Sequence, residues 1–518
     1  MNKGPLTQLP LAVRNVGNAT LQKQVFEQIR TMIVDGRLRA GAALPATREL
    51  SSQMGISRNT AVLAYERLIA EGYIYTRPHV GTFVAATIPE ETFSTKRPTE
   101  FLDHNAGISI NGVEPSLRHH APENVHNLRS PHRHKLKYDF WVGRPDPASF
   151  PAKAWAKHIG HRLQASGAGM TEYGDPAGLH ELRKAIAAHL GPARGIGADP
   201  DQVIIVGGCQ DGFNLVARLL VSAKTPVVVE NPCYQGAAYV MQNYGGVLHP
   251  VPVDVDGLMV ADLPNAPNGI VYVTPSHQYP LGVTMSLQRR LSLLAWANRN
   301  DAYIIEDDYD SDFRFTGSPL TALKGLDLAD RVIYMGTFSK CMGPGLRLGY
   351  IVVPAALSEP ARRLKSLMSN GQSWLEQAAL ADFMLDGGYR RHLRRVRQVY
   401  LSRRDALLVA LQNNFGNCHV SGEGGGMHLA WKIPDKLPRA AEIEKRALEN
   451  KLGVYTLSTG AALHFGPNEI DQSHLVLGYA ALTPQEIAQG ISTLAETIKP
   501  KPNRAQTRSI SIQPEITR

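Results

Sequence analysis

The stretch Gly336-Thr337-Phe338-Ser339-Lys340-Cys341-Met342-Gly343-Pro344-Gly345-Leu346-Arg347-Leu348-Gly349-Tyr350 places a lysine among small residues. It follows an apolar run at 332–335 that is typical of a buried strand, and Arg347 comes seven residues after Lys340. A second apolar run, 303–305, leads directly into Glu306-Asp307-Asp308-Tyr309. Open α/β sheets bind ligands at the carboxyl ends of their strands, so we expect these side chains to share one site.

The residue types match the needs of pyridoxal phosphate (PLP) chemistry. Lys340 offers an amine that can form a Schiff base (an aldimine) with the PLP aldehyde, and Asp307 can pair with the ring nitrogen. Tyr309 can hydrogen-bond the ring oxygen, while Thr337 and Arg347 can hold the phosphate. A cationic neighbour such as Arg347 is expected to help Lys340 lose its proton. We therefore predict PLP as the cofactor and Lys340 as the reactive residue.

Two further segments complete the predicted site. Gly208 and Cys209 lie between the apolar run 203–206 and a helical segment, where backbone N–H groups and the helix dipole favour a phosphate. Tyr234 is placed to stack on the ring.

Strand and helix patterns alternate from about residue 138. Continuous Val/Ile runs indicate strands that are buried on both faces, hence a mostly parallel α/β sheet. A smaller α+β region should follow from about 385. The runs are 203–206, 226–229, 269–273, 303–305, 332–335 and 350–353.

The first part of the chain has a different pattern. Residues 18–86 predict three helices, at 20–36, 46–54 and 58–71, followed by two short strands, which is a winged helix-turn-helix. Residues 1–86 hold ten Lys/Arg against five Asp/Glu, which suits a polyanion partner. In the third helix, Val62, Leu63, Tyr65 and Leu68 are predicted to pack inward.

Donor side chains at helix starts and on the wing are the predicted DNA contacts, because they can reach phosphates or base edges. Ala46 offers no side-chain cap, so the second helix should be less stable by about 1 kcal/mol than a helix with a serine cap. The predicted contacts are Arg48, Ser57, Arg58, Asn59, Thr60, Arg77 and His79.

Composition sets the remaining expectations. A chain of 518 residues should hold more than one domain, and we predict 18–86 and 138–498, joined by a flexible linker at 87–137 and followed by a disordered basic tail at 499–518. No apolar run is long enough for a membrane span, and no secretory signal is found, so a cytoplasmic protein is expected. The four cysteines have no CxxC spacing, which favours free thiols and no metal site.

The first part resembles the GntR family, through Leu44-Pro45, Arg48-Glu49-Leu50, Gly55-Ile56-Ser57-Arg58-Asn59-Thr60, Glu71-Gly72 and Gly81-Thr82-Phe83-Val84. Residues 138–495 resemble fold-type I aminotransferases, through Tyr173-Gly174-Asp175-Pro176-Ala177-Gly178, Thr274-Pro275-Ser276-His277-Gln278-Tyr279-Pro280 and the lysine segment. Joined in this order, the chain is similar to the MocR/GabR class of regulators.

That resemblance implies a head-to-tail homodimer, in which Tyr173 reaches the PLP phosphate of the neighbouring subunit. It also exposes two departures. Val476 stands where aminotransferases usually carry an arginine for the substrate carboxylate, and Gly236 stands where GABA-sensing relatives carry another. The amino-acid clamp is therefore lost, or is moved to a residue such as Arg144.

Three functions remain open from the sequence. The first is a PLP-binding transcriptional regulator whose operator binding responds to PLP, or to an amine that reacts at the Lys340 aldimine. The alternative is a PLP-dependent aminotransferase with an accessory DNA-binding domain, which the missing arginine disfavours. The third is a scaffold without cofactor.

Overall fold

The computed structural model describes residues 20–86, 136–317, 320–467 and 469–498. They fall into two compact units, and we call residues 20–86 the head and the described residues from 136 onward the body. Nearly all of the predicted linker and the whole predicted tail lie outside the described residues. The proposed domain boundaries thus stay predictions.

The head is a winged helix-turn-helix, as predicted. Its helices are Leu21–Val34, Thr47–Met54 and Arg58–Ala70, and its strands, in sheet order, are Ala43–Leu44, Gly81–Val84 and Ile74–Arg77. Apolar residues at helical spacing, such as Val25 and Ile29, pack against Leu50 and Leu68 in one core.

One residue of the third helix was predicted wrongly. Leu63 is 39% exposed, because this helix turns Ala61, Ala64, Tyr65 and Leu68 inward, and this i, i+3, i+4, i+7 stripe leaves Leu63 on the outer face.

The second and third helices of the head begin differently. Ser57 Oγ accepts the Thr60 N–H at 3.1 Å and caps the third helix. At the second helix, the Glu49 carboxylate accepts the Ala46 N–H at 3.1 Å, but Ala46 has no side-chain acceptor to return the bond. Only half of a capping box is therefore present, as the sequence predicts.

The body is built on a twisted central sheet. Its ladders are parallel except at the strand Gly349–Val352 and at the short edge strand Gly257–Leu258, which confirms the mostly parallel α/β fold. In order across the sheet the strands are Val203–Val206, Gly349–Val352, Val332–Thr337, Tyr303–Asp308, Ile270–Val273, Pro226–Asn231, Val247–Asp254 and Gly257–Leu258.

A set of helices belongs to the same part of the body as this sheet. They are Ala152–Gln164, His180–Arg194, Cys209–Leu220, Gln235–Asn243, Leu287–Arg299, Leu323–Leu326, Ser358–Ser369, Trp374–Leu385 and Gly388–Phe415. Within the described ranges, no helix combines the length and the apolar character that a membrane crossing requires. The four cysteines are free thiols.

The predicted α+β region is the last part of the body that the structure describes. Its antiparallel sheet has the order His419–Ser421, His428–Lys432, His474–Gly478, Tyr455–Thr456. Its helices are Ala440–Glu449, Glu469–Ser473 and Pro484–Ile498. Two short ladders tie it back to the rest of the body, and they pair Tyr138–Asp139 with Leu452–Gly453 and Cys233–Tyr234 with Ala462–Leu463.

Candidate functional site

A cavity of about 240 Å³ lies at one edge of the central sheet, and we call it the cofactor cavity. The strands Val203–Val206, Tyr303–Asp308 and Val332–Thr337 run in the same direction, so their carboxyl ends meet there. Most of the residues predicted to bind the cofactor line it, namely Cys209, Tyr234, Asp307, Tyr309, Thr337, Lys340 and Arg347.

Lys340 is the amine of this cavity. Its Nζ donates a hydrogen bond to the Gly143 carbonyl oxygen at 3.2 Å. Burial lowers the pKa of Lys340, against the opposing effects of Cys209, Asp310 and Asp307. Burial, rather than the Arg347 charge that the sequence suggested, thus favours the neutral, nucleophilic amine.

Asp307 is buried at the end of its strand. Its Oδ2 accepts a hydrogen bond from the Tyr272 hydroxyl at 3.0 Å, and the Cys209 Sγ lies 3.9 Å from its Oδ1. Burial raises the pKa of Asp307 to about 7, while the Tyr272 bond acts in the opposite direction. A cation placed beside this carboxyl would hold it ionised.

Arg347 forms the anion-binding end of the cavity. Its backbone is left-handed, with φ at 52°, just after the short turn Pro344–Leu346. A Cβ on Gly208 would lie 3.2 Å from both terminal guanidinium nitrogens, so only glycine leaves them free space. Gly208 also precedes the helix Cys209–Leu220, whose first N–H groups have no partners within the helix.

Aromatic residues form the walls. The Tyr309 hydroxyl donates to the His277 carbonyl oxygen at 2.9 Å, and the Tyr234 hydroxyl accepts from Gln210 Nε2 at 3.1 Å. The Tyr234 ring meets the Tyr279 ring edge-on at 5.8 Å. These contacts fix both predicted ring-binding tyrosines in place.

A buried polar cluster lies behind Tyr309. His277 Nδ1 lies 2.9 Å from Asp310 Oδ2, and His428 Nε2 donates to the Pro280 carbonyl oxygen at 3.1 Å. His277, Asp310 and His428 could together offer three metal ligands within 4.8 Å. Two of the four ring nitrogens are already used in these contacts, so we assign the cluster to supporting Tyr309.

The two positions where the sequence lacks an arginine, and the proposed substitute Arg144, can be placed in the structure. Val476 is buried in an apolar cluster with Tyr279 and Tyr455. A Cβ on Gly236 would lie 2.3 Å from Gln210 Nε2, so a longer side chain does not fit without displacing Gln210. Arg144 is paired with Asp139 through Nη2 and Oδ2 at 2.8 Å, so its charge is already matched.

Tyr173 stands apart from the cofactor cavity. It is 89% exposed and does not belong to the cavity lining. Within one chain, Tyr173 is thus not brought together with the predicted phosphate residues.

The predicted DNA-binding residues lie on the surface of the head. Arg48, Arg58, Asn59, Arg77 and His79 are exposed. The other two, Ser57 and Thr60, bond to each other at the start of the third helix, with 2.8 Å between their hydroxyl oxygens. On the wing, the Arg77 guanidinium lies over the Tyr75 ring, 5.4 Å from its centroid.

These residues fit PLP. The cavity joins a buried amine, a carboxyl and an anion-binding end, and glycines leave space where it is needed. A Cβ on Gly143, for example, would lie 2.6 Å from Lys340 Nζ. Sequence reasoning missed Tyr272, and it placed Gln210 in the phosphate segment 207–210 without its contact with Tyr234.

Comparisons with known proteins agree with the folds of the head and of the body. The family model "Aminotransferase class I and II" matches residues 139–494, and "Bacterial regulatory proteins, gntR family" matches residues 21–84. The chain is 34% identical to the probable rhizopine catabolism regulatory protein MocR of Rhizobium meliloti, over 92% of this chain and 93% of that protein.

Two further comparisons each cover most of the length of the matched protein. The chain is 33% identical to the pyridoxine biosynthesis transcriptional regulator PdxR of Corynebacterium glutamicum, over 91% of this chain and 98% of that protein. The body is similar to the α-aminoadipate aminotransferase LysN of Thermus thermophilus, solved with N-(5'-phosphopyridoxyl)-L-leucine. The TM-score is 0.63 at 27% identity, over 71% of this chain and 92% of that structure.

Proposed function

This chain belongs to the MocR-type transcriptional regulators, which join a gntR-family DNA-binding region to an aminotransferase-like region, and we propose that PLP or an amine bound in its body modulates operator binding by its head. The chain is a PLP-binding regulator of transcription. The observation that carries the proposal is the cofactor cavity, which gathers seven predicted cofactor residues in a chain that begins with a winged helix-turn-helix. Operator DNA as the partner also implies a cytoplasmic location.

We assign each residue of the cavity a role. Bound PLP supplies an aldehyde that condenses with primary amines. Lys340 would hold it covalently, Asp307 would pair with the ring nitrogen, and Tyr309 would bond the ring oxygen. Tyr234 would cover the ring face. The phosphate would be bound by Gly208, Cys209, Thr337 and Arg347.

The effector should lack an α-carboxylate in the usual pose. Placing a carboxylate against buried Val476 would leave a charge unpaired, at a cost of several kcal/mol. Arg144 is already matched by Asp139. PLP itself, or an amine, meets this requirement, and PLP would agree with the name of the relative PdxR.

We propose that the chain acts as a head-to-tail homodimer. Tyr173 is nearly fully exposed in one chain, which suits a residue that completes a neighbour's site. In the dimer, Tyr173 of the partner subunit would reach the PLP phosphate, and two heads would present Arg58 and Arg77 to two half-sites of the operator.

The test is operator binding with and without PLP. Fluorescence anisotropy on the DNA upstream of the gene itself should show specific binding that PLP changes several-fold. Lys340→Ala should lose the yellow absorbance of the PLP-loaded protein and the PLP response. Lys184→Ala, on an exposed helix position, should keep both. If no DNA fragment is bound specifically under any ligand condition, the regulator proposal is wrong.

A second candidate, PLP-dependent transamination, is favoured by Lys340 and Asp307 lying in one cavity. Turnover of ordinary amino-acid and keto-acid pairs at roughly 1–1,000 s⁻¹ would support it. Binding of common α-amino acids at micromolar concentration would contradict the argument from Val476.

A further inference from the structure

A second cavity, of about 250 Å³, lies in the body, and we call it the arginine pocket. It is formed by the helices His180–Arg194 and Gly388–Phe415 and by residues that follow the strand Tyr303–Asp308. Five arginines line it, and four of them have no ion pair among the described residues, namely Arg314, Arg390, Arg394 and Arg397.

These four charges meet one acidic residue in the lining of the pocket. Among the described residues, none of the four has a carboxylate oxygen within the 4.0 Å of an ion pair, and Asp312 is the acidic residue of the lining. Arg397 Nε donates to the backbone oxygen of Asp312 at 3.0 Å, not to its carboxylate. Several positive charges thus line one cavity.

The Arg314 guanidinium has a nitrogen without a hydrogen-bond partner among the described residues. This nitrogen is the buried Nε. Burial, and then the positive charge of Arg194, lowers the pKa of Arg314, and an anion beside this guanidinium would oppose both effects. Arg194 itself is matched by Asp308, with 2.7 Å between Nε and Oδ2, and so needs no ligand.

We propose that the arginine pocket is a second ligand site, which binds a small phosphate-bearing anion. Guanidinium groups bind phosphate in a bidentate manner and are preferred where planar recognition is needed. Arg194 and Leu393 are buried residues of the lining, so the site is recessed and suits a small anion rather than a DNA backbone.

The pocket is connected to the cofactor cavity through one short segment. Asp307 and Tyr309 line the cofactor cavity, whereas Ser311 and Asp312 line the arginine pocket. A small cavity between them is lined by residues of both, including Tyr309 and Asp312. An anion that reorders this segment would therefore bias the cofactor site, provided that it binds the two arrangements differently.

The test is calorimetric titration of the full chain with pyrophosphate at constant ionic strength. Protein loaded with PLP and reduced with borohydride is titrated in parallel, so that the PLP phosphate blocks the cofactor cavity. One pyrophosphate should bind per chain in the reduced PLP sample, where only the arginine pocket is open to it. The double variant Arg390→Gln/Arg394→Gln changes two exposed residues of the lining, and it should bind pyrophosphate at least about tenfold more weakly.

The matched control is Arg363→Gln/Arg391→Gln, which removes two charges from exposed positions outside the pocket. It should bind pyrophosphate as the unchanged chain does. No binding, or an equal loss in both double variants, would overturn the proposal. If Arg390→Gln/Arg394→Gln weakens operator binding while pyrophosphate binding stays unchanged, the patch contacts DNA and the small-anion proposal is wrong. The difference in pyrophosphate affinity between the two double variants locates the site even if the protein does not bind PLP.

Discussion

Tyr272 donates a hydrogen bond of 3.0 Å from its phenol hydroxyl to Oδ2 of Asp307, in the interior of the body. This bond lowers the pKa of Asp307, whereas burial raises it to about 7. Tyr272 therefore favours the ionised form of this carboxyl, which is the form that could pair with a cationic ring nitrogen.

Tyr272→Phe should weaken PLP binding. Without the donor, the pKa of Asp307 rises further, so the ionised fraction at pH 7 falls. We expect a loss of about tenfold in PLP affinity, and the pH at which affinity reaches half its maximum should move upward. Absorbance titrations between pH 6 and 9 measure both. The control is Tyr303→Phe, which changes a half-buried tyrosine at the start of the strand that carries Asp307. Equal pH profiles for the unchanged chain and Tyr272→Phe would contradict the assignment.

Gly208→Ala should damage the anion-binding end. The new Cβ would lie 3.2 Å from the Arg347 guanidinium, and φ at 102° is strained for alanine. PLP affinity should fall at least roughly tenfold. Gly197→Ala, where nothing lies within 4 Å, should leave it unchanged. Normal PLP retention in Gly208→Ala would show that Arg347 does not bind the phosphate.

Glu230 should make the body less stable as pH rises. Burial raises its pKa to about 7 from an ordinary 4.5. Between these values the folded chain keeps a proton that the unfolded chain releases, so stability should fall by about 1.4 kcal/mol per pH unit from this group. Glu230→Gln should remove that part of the slope, and exposed Glu449→Gln should not.

Tryptophan fluorescence during urea unfolding at pH 5 to 7 measures this slope, since all five tryptophans lie in the body. An unchanged slope in Glu230→Gln would mean that the carboxyl is not held protonated by the fold.

Ala46→Ser should stabilise the second helix of the head. Glu49 already bonds the Ala46 N–H, and serine would return a bond to the backbone. The gain should be about 1 kcal/mol, seen as slower hydrogen exchange across Thr47–Met54 in the full chain. Ala46→Val, which adds no acceptor, should show no slowing. Faster exchange in Ala46→Ser would contradict the capping argument.

The sequence predicted which residues at strand ends line the cofactor cavity. Asp307 and Lys340 follow apolar runs, and parallel strands bring such positions to one edge whatever their separation in sequence. Tyr272 was not predicted, because it lies inside the apolar run 269–273 and has the appearance of a core residue. Its contact with Asp307 depends on sheet order, which the sequence does not show.

Two other features needed the structure. The strand Val247–Asp254 was not predicted because Pro250 and Pro252 interrupt its apolar pattern, as prolines are found mainly near sheet edges. The arginine pocket was not predicted either. Arg314 and Arg394 belong to distant segments, and only tertiary packing brings them to one cavity.

At Arg347 the backbone conformation favours glycine, whereas binding of a phosphate favours the arginine side chain. Glycine would adopt this conformation with less strain, so a chain selected only for heat resistance would be expected to exchange the arginine away. Such a chain would remain folded, and we expect it to hold PLP less tightly.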